Sequence, residues 1–70
     1  MSVKWGFLGA GWIANRATAP AVHAAKNAQL FAVASRDVAR SKKLEPQNVY
    51  DSYQQLLSDP QIEVVYISLG

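Results

Sequence analysis

Three small residues, Gly9, Gly11 and Ala14, stand at a spacing that suits the binding of an anion on bare backbone. They follow a short apolar run, Trp5 to Leu8, and open onto a helical pattern at Trp12-Ile13-Ala14. Gly9 allows a tight turn off a strand, where a side chain would disfavour the backbone angles. Gly11 has no Cβ, so a pyrophosphate can come close to the main chain, and Ala14 lets the helix pack on its strand. The first helical amides have no intrahelical partners and sit at the positive end of the dipole, so an anion there is stabilised by both effects. The triplet fits the dinucleotide fingerprint G-x-G-x-x-G/A. It also fits a glycine turn in a βα protein that binds nothing.

The second position with chemical content lies at Ala34-Ser35-Arg36-Asp37. A NAD-binding unit places an acidic residue about 20 positions past the glycines, where it accepts bonds from the ribose hydroxyls. Here Ser35 or Arg36 occupies that place. Arginine offers a planar, permanently charged fork suited to a 2′-phosphate, and serine adds a hydroxyl donor. NADP is therefore favoured over NAD. Asp37 is the counter-argument, since turned inward it could take the ribose role; it is read as a helix cap instead.

Other chemistries find little support. The chain has no cysteine and one histidine, which leaves neither a disulfide framework nor a usual zinc site. His23 sits mid-helix among alanines with nothing expected to pair with it, and Asp51, Asp59 and Glu63 sit at no useful spacing for acid–base work. No catalytic residue and no metal ligand are assigned. Arg36, Arg40, Lys42 and Lys43 concentrate four of the seven basic residues, within a net charge of only +2. No aromatics interleave with them, so nucleic-acid binding is not expected; they read as a solvated helix face, or as phosphate ligands for one or two of the four. No apolar run approaches the ~20 residues of a membrane span. A cytoplasmic protein is the expectation.

The elements that must position these residues follow from apolar patterning and punctuation. A helix is expected from about Trp12 to Ala17, a break near Thr18-Ala19 because of Pro20, and a restart through Lys26. Gln29 to Ser35 is almost continuously apolar, as strands buried on both faces of a parallel sheet are. Asp37 caps a short helix through about Leu44, Val49-Tyr50 forms a brief edge strand, and Asp51 or Ser52 caps a helix from Tyr53 to Leu57. Glu63 to Leu69 is the strongest strand signal. Trp5 and Phe7 are expected in the core and Tyr50, Tyr53 and Tyr66 at its edges, while Trp12 either shields a ligand at the turn or packs under the helix. The result is an α/β chain: a partial Rossmann fold with a four-stranded parallel sheet, order 3-2-1-4, and helices on both faces.

In K-W-G-F-L-G-A-G-W-I-A, V-A-S-R-D, Y-D-S-Y-Q-Q-L-L-S-D-P and V-V-Y-I-S-L-G, the chain resembles the glucose–fructose oxidoreductase and inositol dehydrogenase (Gfo/Idh/MocA) family. The similarity is greatest to the branch with Ser-Arg after the second strand, which includes NADP-dependent sugar and dihydrodiol dehydrogenases. The resemblance implies pyrophosphate contacts from the backbone of Gly9, Ala10, Gly11, Trp12 and Ile13. It implies that Ser35 and Arg36 hold the adenosine ribose and its phosphate, and that Ser68 and Leu69 lie near the nicotinamide. The family's catalytic Glu-Lys-Pro segment and its substrate domain have no counterpart in these 70 residues, and the Asp37–Val49 segment is shorter than usual. The expectation is a truncated nucleotide-binding domain, catalytically incomplete. The alternative is a ligand-free module of the same fold. In either case Glu63 to Leu69 is an apolar sheet edge, expected to pair with a second copy.

Overall fold

The central strand β1 (Val3–Leu8) is covered on both faces, and every other element is placed against it or its neighbour. The computed structural model describes residues 2–11 and 14–67, so the expectations for Trp12, Ile13, Ser68 and Leu69 lie outside the described residues. Three further strands, β2 (Ala28–Ala34), β3 (Asn48–Tyr50) and β4 (Val64–Ile67), complete a parallel sheet in the order β3-β2-β1-β4. The expected order 3-2-1-4 is observed.

Helices α1 (Ala19–Ala24) and α2 (Val38–Lys43) cover one face, and α3 (Tyr53–Leu57) covers the other. Right-handed crossovers require this arrangement: two connections in one direction across the sheet share a face, and the return to β4 uses the opposite one. On the first face Phe7, Leu30 and Val33 pack with Ala19, Val22 and Leu44. On the second, Leu8, Phe31, Ala32 and Ala34 pack with Leu56. Trp5 and Tyr66 flank the first cluster, Tyr50 and Tyr53 the second. The Tyr66 ring lies 5.0 Å from that of Phe7, tilted by 56°.

Two details depart from the sequence reading. The chain does not leave the helical region before Pro20. It runs as a π-helical turn over Ala14–Thr18, with Thr18 at φ −73° and ψ −45°, and changes to α geometry at Ala19. Proline cannot donate the bond to the carbonyl four residues back and its ring crowds that group, so the wider turn accommodates it where the α ladder is interrupted. The restart then ends at Ala24 rather than Lys26, because the strand ladder begins early: the Val3 amide already donates to the Asn27 carbonyl at 2.8 Å. The second departure is a bulge. Trp5 pairs with Leu30 but Gly6 pairs with Ala32, which skips Phe31 and turns it with Ala32 toward the α3 face.

At Gly6 side chains of α3 and the following segment pack directly onto the sheet backbone. A Cβ there would lie 2.9 Å from Leu56 Cδ2 and 3.0 Å from Ile62 Cδ1, and Leu56 is fully buried. At the far end of the same layer, the Tyr50 hydroxyl donates to Asp59 Oδ2 at 2.5 Å, while Asp59 Oδ1 accepts from the Gln61 amide at 2.9 Å. This pair ties the end of β3 to the turn after α3. The hydrogen bond to Asp59 raises the Tyr50 pKa, assisted by burial and the carboxylate charge. The Tyr50 hydroxyl, the Gln61 amide and, more weakly, the Lys4 charge lower that of Asp59 against a small opposing effect of desolvation.

Gly6→Ala is expected to destabilise the fold by about 1–3 kcal/mol through overpacking, read as a lower urea midpoint. The Tyr50–Asp59 pair gives a pH dependence whose sign follows from the two shifts. Asp59 is depressed, so its contribution is complete above the ordinary 3.8 and is lost as pH falls through the lower folded value. Tyr50 is raised, so its contribution is complete below 10.0 and is lost as pH climbs through the higher folded value. The stability difference between wild type and Tyr50→Phe, measured by urea unfolding, should be constant near neutrality and shrink at both extremes.

Candidate functional site

Leu8 pairs with both Ala34 and Ile67, and Ala34 pairs with Tyr50, so the four strands end on one line. The loops leaving β1, β2 and β3 therefore emerge side by side. At the first, Gly9 has a φ of 93°, which an L side chain adopts only at a cost of about 1–2 kcal/mol. Its amide donates to the Ala34 carbonyl at 2.7 Å, prolonging the ladder by one bond before the chain turns away. Ala10 and Gly11 follow, both half-buried, with Ala10 against the first core cluster.

The second loop divides its residues between structure and solvent. Ser35 is buried, and its hydroxyl donates to the Asp37 carbonyl at 2.7 Å. The same oxygen accepts from the Asp37 amide at 3.2 Å and lies 2.6 Å from the fully buried Ser41 hydroxyl, which is then the donor. The Ser35 hydroxyl is thus occupied in holding the first turn of α2, and its one proton already has an acceptor. Asp37 is the helix cap that its position suggests: Oδ1 accepts from the amides of Ala39 and Arg40 at 3.0 and 3.2 Å. Arg40 approaches the same carboxylate at 3.9 Å, both side chains being exposed. Arg36, between these two, is exposed.

At the third loop Ser52 caps α3, its hydroxyl accepting from Gln54 and Gln55 amides at 3.2 and 3.4 Å. Of the two capping candidates, Asp51 therefore takes no part. An open cavity of about 320 Å³ lies between the second and third loops, lined by Ser35, Arg36, Asp51, Ser52, Tyr53 and Gln54. Sequence reading singled out the first two and treated Asp51 as a loop carboxylate and Tyr53 as a core edge. The available signal was the strand order itself, which sets the end of β3 beside the end of β2.

His23 is exposed and structural, as expected, but it has a partner that the sequence did not suggest. Its Nε2–H donates to the Leu44 carbonyl at 2.8 Å, stitching α1 to the end of α2. The partner is a backbone group brought up by the shared face of the two helices, so no side-chain pattern announces it. His23 lines a separate cavity of about 200 Å³ with Ala19, Pro20, Lys43, Leu44 and Glu45. Both helices run away from the strand C-termini, which puts this cavity remote from the three loops. Among the described residues no group of three or more His, Cys, Asp or Glu side chains could hold a metal, and no helix is long and apolar enough to cross a membrane.

A glycine turn off β1, a guanidinium after β2 and a cavity shared with the β3 loop suit a dinucleotide: backbone amides for a diphosphate, a fork for a phosphate and a recess for a nucleoside. Comparisons agree with this geometry. The family described as an oxidoreductase family with an NAD-binding Rossmann fold, GFO_IDH_MocA, matches residues 3–70. The trans-1,2-dihydrobenzene-1,2-diol dehydrogenase of Mus musculus is 37% identical over 97% of this chain, and an uncharacterized oxidoreductase of Rhizobium meliloti is 35% identical over 96%. The chain spans only 22% and 21% of the length of these relatives. Among solved structures, a 3-ketoreductase from Actinomadura kijaniata in complex with NADP superposes with a TM-score of 0.89 at 28% identity, over 99% of this chain and 23% of that one. A myo-inositol dehydrogenase from Lactobacillus casei, in complex with NAD(H) and myo-inositol, gives 0.81 at 25% identity, over 97% of this chain and 22% of that one. With its sheet order, its glycine turn and the family model that matches residues 3–70, the chain belongs to the Gfo/Idh/MocA oxidoreductase family, described as having an NAD-binding Rossmann fold.

Proposed function

We propose that this chain binds NADP in preference to NAD and serves as the nucleotide-holding part of a cytoplasmic oxidoreductase. One observation carries the preference. The Asp37 carboxylate is engaged by the Ala39 and Arg40 amides, so the Arg36 guanidinium is the charged group that the β2 loop offers to the cavity. A guanidinium suits a 2′-phosphate and a carboxylate suits ribose hydroxyls. The structure of the Actinomadura kijaniata relative, described with NADP, supports the same reading. A cysteine-free sequence suits a reducing compartment.

In this reading the backbone of Gly9, Ala10, Gly11, Trp12 and Ile13 holds the diphosphate, and Arg36 holds the 2′-phosphate. Ser35 shapes the loop from which Arg36 projects, through its bonds to Asp37 and Ser41. Ser68 and Leu69 approach the nicotinamide end. The cofactor, when bound, supplies or accepts the hydride. None of the residues discussed acts as the proton donor that such a transfer needs. Titration with each nucleotide, followed by urea unfolding, tests the proposal. NADP at a hundredfold its dissociation constant should add about 2.7 kcal/mol to stability. Arg36→Ala should remove about 1.5–3 kcal/mol of NADP binding while leaving NAD binding nearly unchanged. Stabilisation by neither nucleotide would overturn the reading.

We also propose self-association through β4, the second reading that the sheet order favours. Among the described residues β4 pairs only with β1, and Val65 and Ile67 on it are 39% and 63% exposed. Its outer row of amides and carbonyls calls for an extended strand, and a second copy supplies an identical one. Sedimentation at micromolar concentration should show a dimer that Ile67→Lys weakens; a wild-type monomer throughout would remove the idea.

A further inference from the structure

The cavity beside Arg36 contains a second formal charge that no structural role explains. Asp51 lines the same recess from the β3 side, and both side chains are exposed. Among the described residues neither has a hydrogen-bond or ion-pair partner, and the two are not paired with each other. Asp51 stands next to a helix start, the usual reason for an aspartate there, but Ser52 is the N-cap and its hydroxyl accepts from the Gln54 and Gln55 amides. An uncommitted carboxylate and an uncommitted guanidinium therefore share a cavity of about 320 Å³. The dimensions of such a cavity are comparable to the Debye length of about 10 Å at about 0.1 M salt, so each charge acts on a ligand group that occupies it.

We propose that Asp51 sets the NADP-to-NAD selectivity of the site by opposing Arg36, an inference that rests on the nucleotide reading above. A 2′-phosphate drawn to Arg36 brings close to two negative charges near the Asp51 carboxylate and is disfavoured by it. A free ribose hydroxyl is neutral and can donate to that carboxylate. Asp51 thus weakens the phosphorylated ligand and favours the unphosphorylated one, and the NADP preference proposed above is the difference between two opposed side chains.

The test uses the two adenosine halves of the cofactors, adenosine 2′,5′-bisphosphate and 5′-AMP, which differ only by the 2′-phosphate. Calorimetry gives the ratio of their dissociation constants for wild type, Asp51→Asn and Asp51→Glu. Asp51→Asn should shift the ratio toward the bisphosphate by about three- to tenfold at low salt, less as salt is raised, and Asp51→Glu should stay near wild type. Circular dichroism checks the fold of each variant, with Asp51→Ser replacing Asp51→Asn if the latter is unfolded. A folded, neutralised variant with an unchanged ratio, or with both ligands weakened equally, overturns the role of Asp51 and leaves the nucleotide site standing. A wild-type protein that binds neither probe overturns the nucleotide reading, and the Asp51 proposal with it.

Discussion

The bond from the Gly9 amide to the Ala34 carbonyl decides where two adjacent strands stop, and the rest of the candidate site depends on it. One step past Leu8 the chain must leave the sheet plane, and only a residue tolerating a φ of 93° does so without strain. Because β1 and β2 end together, the turn after β1 and the loop after β2 lie side by side. Because β3 pairs in register with the end of β2, the β3 loop joins them. The parallel ladder is thus the positioning device, and the loops carry the chemistry.

Both faces of that ladder are covered, and packing detail decides how closely. Gly6 admits Leu56 and Ile62 on one side of β1 while Phe7 anchors the other, and the Phe31 bulge brings an extra aromatic ring beneath α3. The Tyr50–Asp59 pair then clamps the open side of the α3 layer. His23, bonded to the Leu44 carbonyl, does the same for the α1–α2 layer. The Gly6–Leu56 and His23–Leu44 contacts join elements distant in the chain, where loop-closure entropy is larger, while the Tyr50–Asp59 bond closes a short loop.

Electrostatically, the β2 and β3 loops divide residues that cap helices from charged residues that do not. Asp37 and Ser52 satisfy helix-start amides, and Ser35 with Ser41 fixes the entry to α2. Arg36 and Asp51 are left with their charges uncommitted among the described residues, in one recess. An ionised group held at the surface without a partner contributes little to stability, so its chemistry is available to a ligand.

How much of this was legible beforehand depends on the range over which each interaction acts. Capping by Asp37, the turn at Gly9, the influence of Pro20 and the apolar strands are written into a few consecutive residues, because each is governed by local dihedral preference or nearby amides. From them the element order followed, and with right-handed crossovers the sheet order as well. The inward turn of the Ser35 hydroxyl, the choice of Ser52 over Asp51 as cap, the Tyr50–Asp59 and His23–Leu44 bonds and the Phe31 bulge were not legible. They depend on register and on which helix lies over which strand. The sequence by itself determined a Rossmann-type chain with a glycine turn and an arginine after its second strand. Only the tertiary structure decided which side chains near that arginine remain uncommitted, because hydrogen bonds and charges are shared across neighbouring strand ends rather than along the chain.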